Sequence, residues 1–168
     1  LFNSSSSRRV AISTNSALQP SDALTVMAWV KDGPSGPGFG KAIVSMPRNS
    51  TDDTTAWSLW GGLGDANKTY GAKLTTPSGG AYLDSGVAGD TSWHHMALTY
   101  DGATASLYID GVLKSSEAAT GAIDYGTADQ SMLLYDVSLH DSTWQGTMDD
   151  LRVYGSALTQ AQIQSLMN

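Results

Sequence analysis

Between His94 and Lys114 apolar and polar residues alternate in three successive runs, divided by Asp101-Gly102 and Asp110-Gly111. A period of two sends neighbouring side chains to opposite faces of an extended backbone. Asp-Gly supplies the positive backbone angles of a tight hairpin turn. The segment therefore predicts an antiparallel meander. Leu24 to Lys31 repeats the pattern, with Leu24, Val26, Ala28 and Val30 on one face and Thr25, Met27, Trp29 and Lys31 on the other. Both faces are substantially apolar, as in a strand lying between two layers.

Further strands are expected over Lys41 to Met46, Ala56 to Gly62 and Tyr70 to Thr75, from Ala81, from Trp93, and over Gln130 to Asp136 and Trp144 to Tyr154. The tail changes character. Thr159 with Gln162 forms a capping box, and Leu158 with Ile163 a hydrophobic staple, so one or two turns of helix close the chain. There is no internal repeat, and Ser4 to Ser7 reads as a loop or bulge. Roughly ten to twelve short strands in a single domain imply an all-β sandwich of two antiparallel sheets with a short C-terminal helix. That domain is expected to fill residues 1–168.

Composition agrees. Fifteen of the 16 acidic residues are Asp, and 38 Ser and Thr accompany 18 Gly, which suits many turns better than helices. The formal charge is −7, with nine scattered cations, which argues against nucleic acid as a partner. No run of about 18 apolar residues occurs, so membrane insertion is not expected. No basic amino-terminal region precedes an apolar stretch, which predicts that no signal peptide is retained. The absence of cysteine removes thiolate zinc sites, disulfides and cysteine nucleophiles. Hydrogen bonding, aromatic stacking, carboxylates and three histidines remain.

Four blocks carry a resemblance. They are the Leu24 to Lys31 strand, Ser92-Trp93-His94-His95-Met96-Ala97-Leu98-Thr99-Tyr100-Asp101-Gly102, Leu107-Tyr108-Ile109-Asp110-Gly111, and Gly146-Thr147-Met148-Asp149-Asp150-Leu151-Arg152-Val153-Tyr154 followed by Ala157-Leu158-Thr159. In that order they resemble the laminin G-like domains of the concanavalin A-like lectin/glucanase superfamily. The resemblance implies a jelly roll of two curved antiparallel sheets, secreted or at the cell surface, attached to enzymes, adhesins or receptors and often carrying calcium. It also implies that Trp29, Trp93 and the His94-His95 pair belong to the strand pattern.

Glucanases of that superfamily need paired carboxylates at short spacing on one strand, commonly Glu-x-Asp-x-x-Glu. Here Glu117 is the lone Glu and has no carboxylate within six residues on either side, so no catalytic residue is expected. His94 and His95 point to opposite faces of one strand and cannot share a metal on regular backbone. His140 reads as a loop residue. For Ca²⁺ the resemblance points to Asp149 and Asp150. Alternation places Asp149 with Leu151 and Val153, where a carboxylate needs a cation, or else backbone N–H donors in a bulge. Asp52, Asp53 and Asp136 are weaker candidates.

For a sugar ligand the useful groups are aromatics that stack on pyranose faces and polar groups that bond hydroxyls. Trp57 and Trp60 fall on opposite faces of one strand, so at most one is core. Tyr70, Tyr82 and Trp144 are further stacking candidates, with Asp65 and Asn67 as polar partners, and each aromatic has a plain core or rim reading beside it. Phe39 is the one aromatic of the Gly/Pro loop. Asn3, Asn49 and Asn67 fit the glycosylation pattern, which matters only in a eukaryotic secretory pathway. The expectation is a non-catalytic, extracellular carbohydrate-binding module of a larger polysaccharide-active or adhesive protein. The alternative is a protein-binding adhesion module, and an enzyme is the weaker third. Acidity favours neutral or cationic partners over sulfated or uronate polymers, unless a local basic patch reverses it.

Overall fold

The computed structural model describes residues 10–13, 15–33, 41–48, 55–61, 69–126, 131–134 and 144–167. In chain order its strands are β1 (Val10–Ile12), β2 (Leu24–Asp32), β3 (Lys41–Pro47), β4 (Thr55–Gly61), β5 (Thr69–Thr76), β6 (Gly79–Ala88), β7 (His94–Tyr100), β8 (Thr104–Ile109), β9 (Val112–Ala118), β10 (Met132–Leu134) and β11 (Gly146–Tyr154). One helix, α1 (Gln160–Leu166), follows. Six strands form a sheet in the order β1-β10-β3-β4-β5-β6, and five form a second in the order β11-β2-β7-β8-β9. Every pairing is antiparallel.

The meander runs through β7, β8 and β9, and its turns are made as the Asp-Gly pairs require. Asp110 and Gly111 both have positive φ, at 52° and 71°, the signature of a two-residue primed turn. Asp101 Oδ1 accepts the N–H groups of Ala103 and Thr104 at 2.9 and 2.7 Å. β9 runs on to Ala118, past the expected end at Lys114, because pairing with β8 rather than burial defines it. β6 starts at Gly79, ahead of the expected Ala81, through a Gly-Gly pair that carries no alternation. Trp144 and Gln145 precede β11 instead of opening it.

Between the sheets lies a core built from alternate residues. β2 contributes Leu24, Val26, Ala28 and Val30, β7 contributes Met96, Leu98 and Tyr100, and the opposing sheet answers with Trp57, Leu59, Ala72, Leu74 and Leu83. The outer face of the five-stranded sheet is apolar too, and α1 covers it. Ile163 is fully buried with Met27 and Ala97, flanked by Tyr108, Tyr154 and Leu158. This second layer is why both faces of β2 are apolar. The helix starts where the capping box places it, with Thr159 and Gln162 bonding reciprocally. Gln160 and Gln164 then donate to the Gly111 carbonyl, both at 2.9 Å, tying the helix to the β8–β9 turn.

Candidate functional site

Alternation decides which aromatics leave the core of the six-stranded sheet. On β4, Trp57 and Leu59 point inward and Trp60 outward. On β5, Tyr70, Ala72 and Leu74 point inward, leaving Gly71 and Lys73 outside. On β6, Ala81 and Leu83 point inward, leaving Tyr82 and Asp84 outside. Register then sets Trp60 opposite Gly71, and Lys73 opposite both Ser58 and Tyr82.

The outward aromatics meet. Trp60 and Tyr82 stack with ring centroids 4.6 Å apart and planes 29° from parallel. Gly71 makes room for this, since a Cβ there would lie 2.1 Å from Trp60 Cζ2. Trp60 thus rests on bare backbone while Tyr82 remains 64% exposed. From the other sheet, Glu117 Oε2 accepts the Tyr82 N–H at 2.9 Å and holds the strand beneath the ring. Beside Tyr82 lies a hollow of about 390 Å³ bordered by Arg48, Lys73, Gly79, Gly80 and Glu117. Arg48 is ion-paired with Asp124, whereas the Lys73 side chain has no hydrogen-bond or ion-pair partner among the described residues. An exposed aromatic edged by donors and acceptors suits a ligand with one apolar face and a polar rim.

Three of the aromatic candidates are corrected by the fold. Trp57, Tyr70 and Trp144 have no accessible surface and cannot present a stacking face. Trp57 fills the space between the sheets. Trp144 Nε1–H donates to Asp32 Oδ1, and Asp32 is itself 1% exposed. Burial pushes the Asp32 carboxyl up, with the Trp144 hydrogen bond opposing that shift. Burial, followed by the neighbouring Asp32 charge, pushes the Tyr70 phenol up as well. Asp32 continues the inward series Leu24, Val26, Ala28, Val30, so its inward direction was legible. A buried carboxylate there became intelligible only with Trp144 beside it. Asp65 and Asn67 lie outside the described residues, as do Phe39, Asp52, Asp53, Asp136, His140 and the three glycosylation acceptors.

The histidines do separate to opposite faces. His94 Nδ1 lies 2.8 Å from Asp110 Oδ2 and Nε2 3.2 Å from Asp90 Oδ1. Burial alone would lower its pKa, but these two carboxylates outweigh that and hold it above the ordinary value. His95 faces outward yet is 2% exposed, with Trp29 against its ring at 5.4 Å. Burial holds its pKa low.

Asp149 and Asp150 both engage local partners. Both are exposed, because a bulge between Asp149 and Arg152 breaks the alternation that would have turned Asp149 inward. Asp149 Oδ1 accepts the Asp150 N–H at 2.8 Å, and the Asp150 carboxylate pairs with Arg152 at 2.6 Å. No cluster of three or more His, Cys, Asp or Glu suited to a metal occurs among the described residues. No described helix is long and apolar enough to cross a membrane.

No curated protein sequence matches the chain, but solved structures do. The binding domain of Paraclostridial Mosquitocidal Protein 1 superposes with a TM-score of 0.73 at 16% identity, over 99% of this chain and 42% of that one. This chain therefore spans less than half of that domain. Domain 4 of an extracellular arabinanase from Geobacillus stearothermophilus, in complex with arabinotriose, gives 0.61 at 23% identity, over 90% of this chain and 69% of that one. The CBM40 of the Ruminococcus gnavus IT-sialidase, bound to α2,3-sialyllactose, gives 0.65 at 16% identity, over 95% and 96%. These likenesses describe the fold. A family model matches residues 4–164, and by that match the chain belongs to the Laminin_G_3 family of the concanavalin A-like lectin/glucanases superfamily.

Proposed function

We propose that the chain is a non-catalytic, extracellular carbohydrate-binding module of a larger protein, and that glycan lies on the outer face of the six-stranded sheet over Trp60 and Tyr82. The observation that carries this reading is a pair of stacked aromatics beside a polar hollow, with Tyr82 64% exposed on the outer face of the sheet. Burying so exposed a ring against a pyranose gains apolar contact that water does not give. The glycan complexes of two structural neighbours, the arabinanase domain and the CBM40, lend support. Binding without hydrolysis is favoured because the lone Glu117 has no carboxylate within six residues on either side to complete a glycosidase pair.

Native gels containing soluble neutral and acidic polysaccharides test the reading. At least one polymer retards the parent chain, and Trp60→Ala and Tyr82→Ala each weaken binding by roughly fivefold or more, about 1 kcal/mol of lost stacking. Unchanged mobility across the panel, or full binding by both variants, would overturn it. A protein-binding adhesion module is the second reading. It is favoured by the edge strand β9, whose Val112 and Leu113 are 48% and 46% exposed.

A further inference from the structure

Although the chain carries a net charge of −7, the surroundings of Tyr82 are differently arranged. The Asp84 carboxylate accepts the Thr69 hydroxyl and the Gly86 N–H. Glu117 accepts the Tyr82 N–H, and Arg48 is bound to Asp124. Among the described residues, Lys73 alone of these charged groups has no side-chain partner. It stands directly opposite Tyr82 in the β5–β6 ladder, where facing Cβ atoms are about 5 Å apart, and it borders the same hollow. We infer that this platform takes a sugar bearing a carboxylate, the ring lying against Tyr82 and the carboxylate meeting the Lys73 ammonium. The inference rests on the glycan reading above and adds the ligand's charge to it.

A neutral sugar offers the ammonium no opposite charge. A carboxylate gains a charge-assisted hydrogen bond with it, roughly twice as strong as one between neutral groups. The overall negative charge slows the approach of such a ligand, but beyond a Debye length of about 8 Å at physiological salt that field is screened, whereas the Lys73 contact is local.

Calorimetric titration with two matched pairs tests the assignment: a galacturonate pentamer with its carboxyl-reduced form, and sialyllactose with its methyl ester. The first pair presents uronic acid within a chain and the second a terminal carboxylated sugar. In at least one pair the acid binds about tenfold tighter than its uncharged counterpart at physiological salt. Lys73→Gln brings the two members to equal affinity, Lys73→Arg keeps the difference, and added salt narrows it in the parent chain. If acid and uncharged forms bind alike and Tyr82→Ala weakens both, the charge assignment falls while the platform stands. If Lys73→Gln, still folded by circular dichroism, retains the preference, the assignment also falls. If none of the four ligands binds, the platform as the site for these sugars falls with it.

Discussion

Gly71 is the residue on which the aromatic platform depends. An alanine in a strand ordinarily gains a little over glycine by restricting the unfolded chain. At this position the added methyl meets the rigid indole of Trp60 at Cζ2 and Cε2, 2.1 and 2.2 Å away. The indole must leave the sheet surface, and Tyr82 loses its stacking partner. Gly71→Ala is therefore expected to cost about 1–3 kcal/mol, in the range of overpacking. It should also red-shift tryptophan emission and weaken glycan binding. Urea titration followed by fluorescence checks all but the last. A variant at least as stable as the parent, with unchanged emission, would show that the ring does not rest on that backbone. Trp144 teaches the opposite lesson. Its place beside a polar loop suggested a ligand platform, but the indole N–H is the donor that a buried Asp32 requires.

At the level of elements, the helix is a third layer. α1 has seven residues, too few to be stable alone in water, so the apolar contacts of Ile163 with Met27 and Ala97 must hold it. Ile163→Ala is expected to cost about 2–5 kcal/mol, and Thr159→Ala about 1 kcal/mol through loss of the cap. Equilibrium denaturation separates the two. Equal, near-zero effects would mean that the helix is frayed and the outer face of the five-stranded sheet is covered by something else. The bulge in β11 is the second instructive element. It lets Asp150 adopt φ 52° and reach Arg152, and turns Asp149 to the exposed side.

Over the whole molecule, the two histidines oppose each other in their pH dependence. The folded pKa of His94 lies above its ordinary 6.5, so its contribution is complete below that value and is lost as pH rises through the folded pKa. His95, depressed by burial, contributes above 6.5 and loses that contribution as pH falls through its folded pKa. His94→Gln removes only the first. The gap in melting temperature between the parent and this variant is expected to be widest near about pH 6 and to shrink toward about pH 9. A gap that stays constant would mean that the Asp90 and Asp110 contacts carry no net charge effect. The sandwich itself was readable from alternation and Asp-Gly turns, because strand period and turn chemistry are local properties of the backbone. The capping box of α1 was readable for the same reason, and Tyr82 and Trp60 could be named among the stacking candidates. Which aromatics would be buried could not be settled, nor that Gly71, Lys73 and Glu117 would gather around Tyr82. Those outcomes depend on strand register and on which sheet edges adjoin, and they place side chains together that lie far apart in the chain, as Asp32 and Trp144 do at 112 positions. One chain segment determines its own faces; only the assembled sheets decide what each face meets.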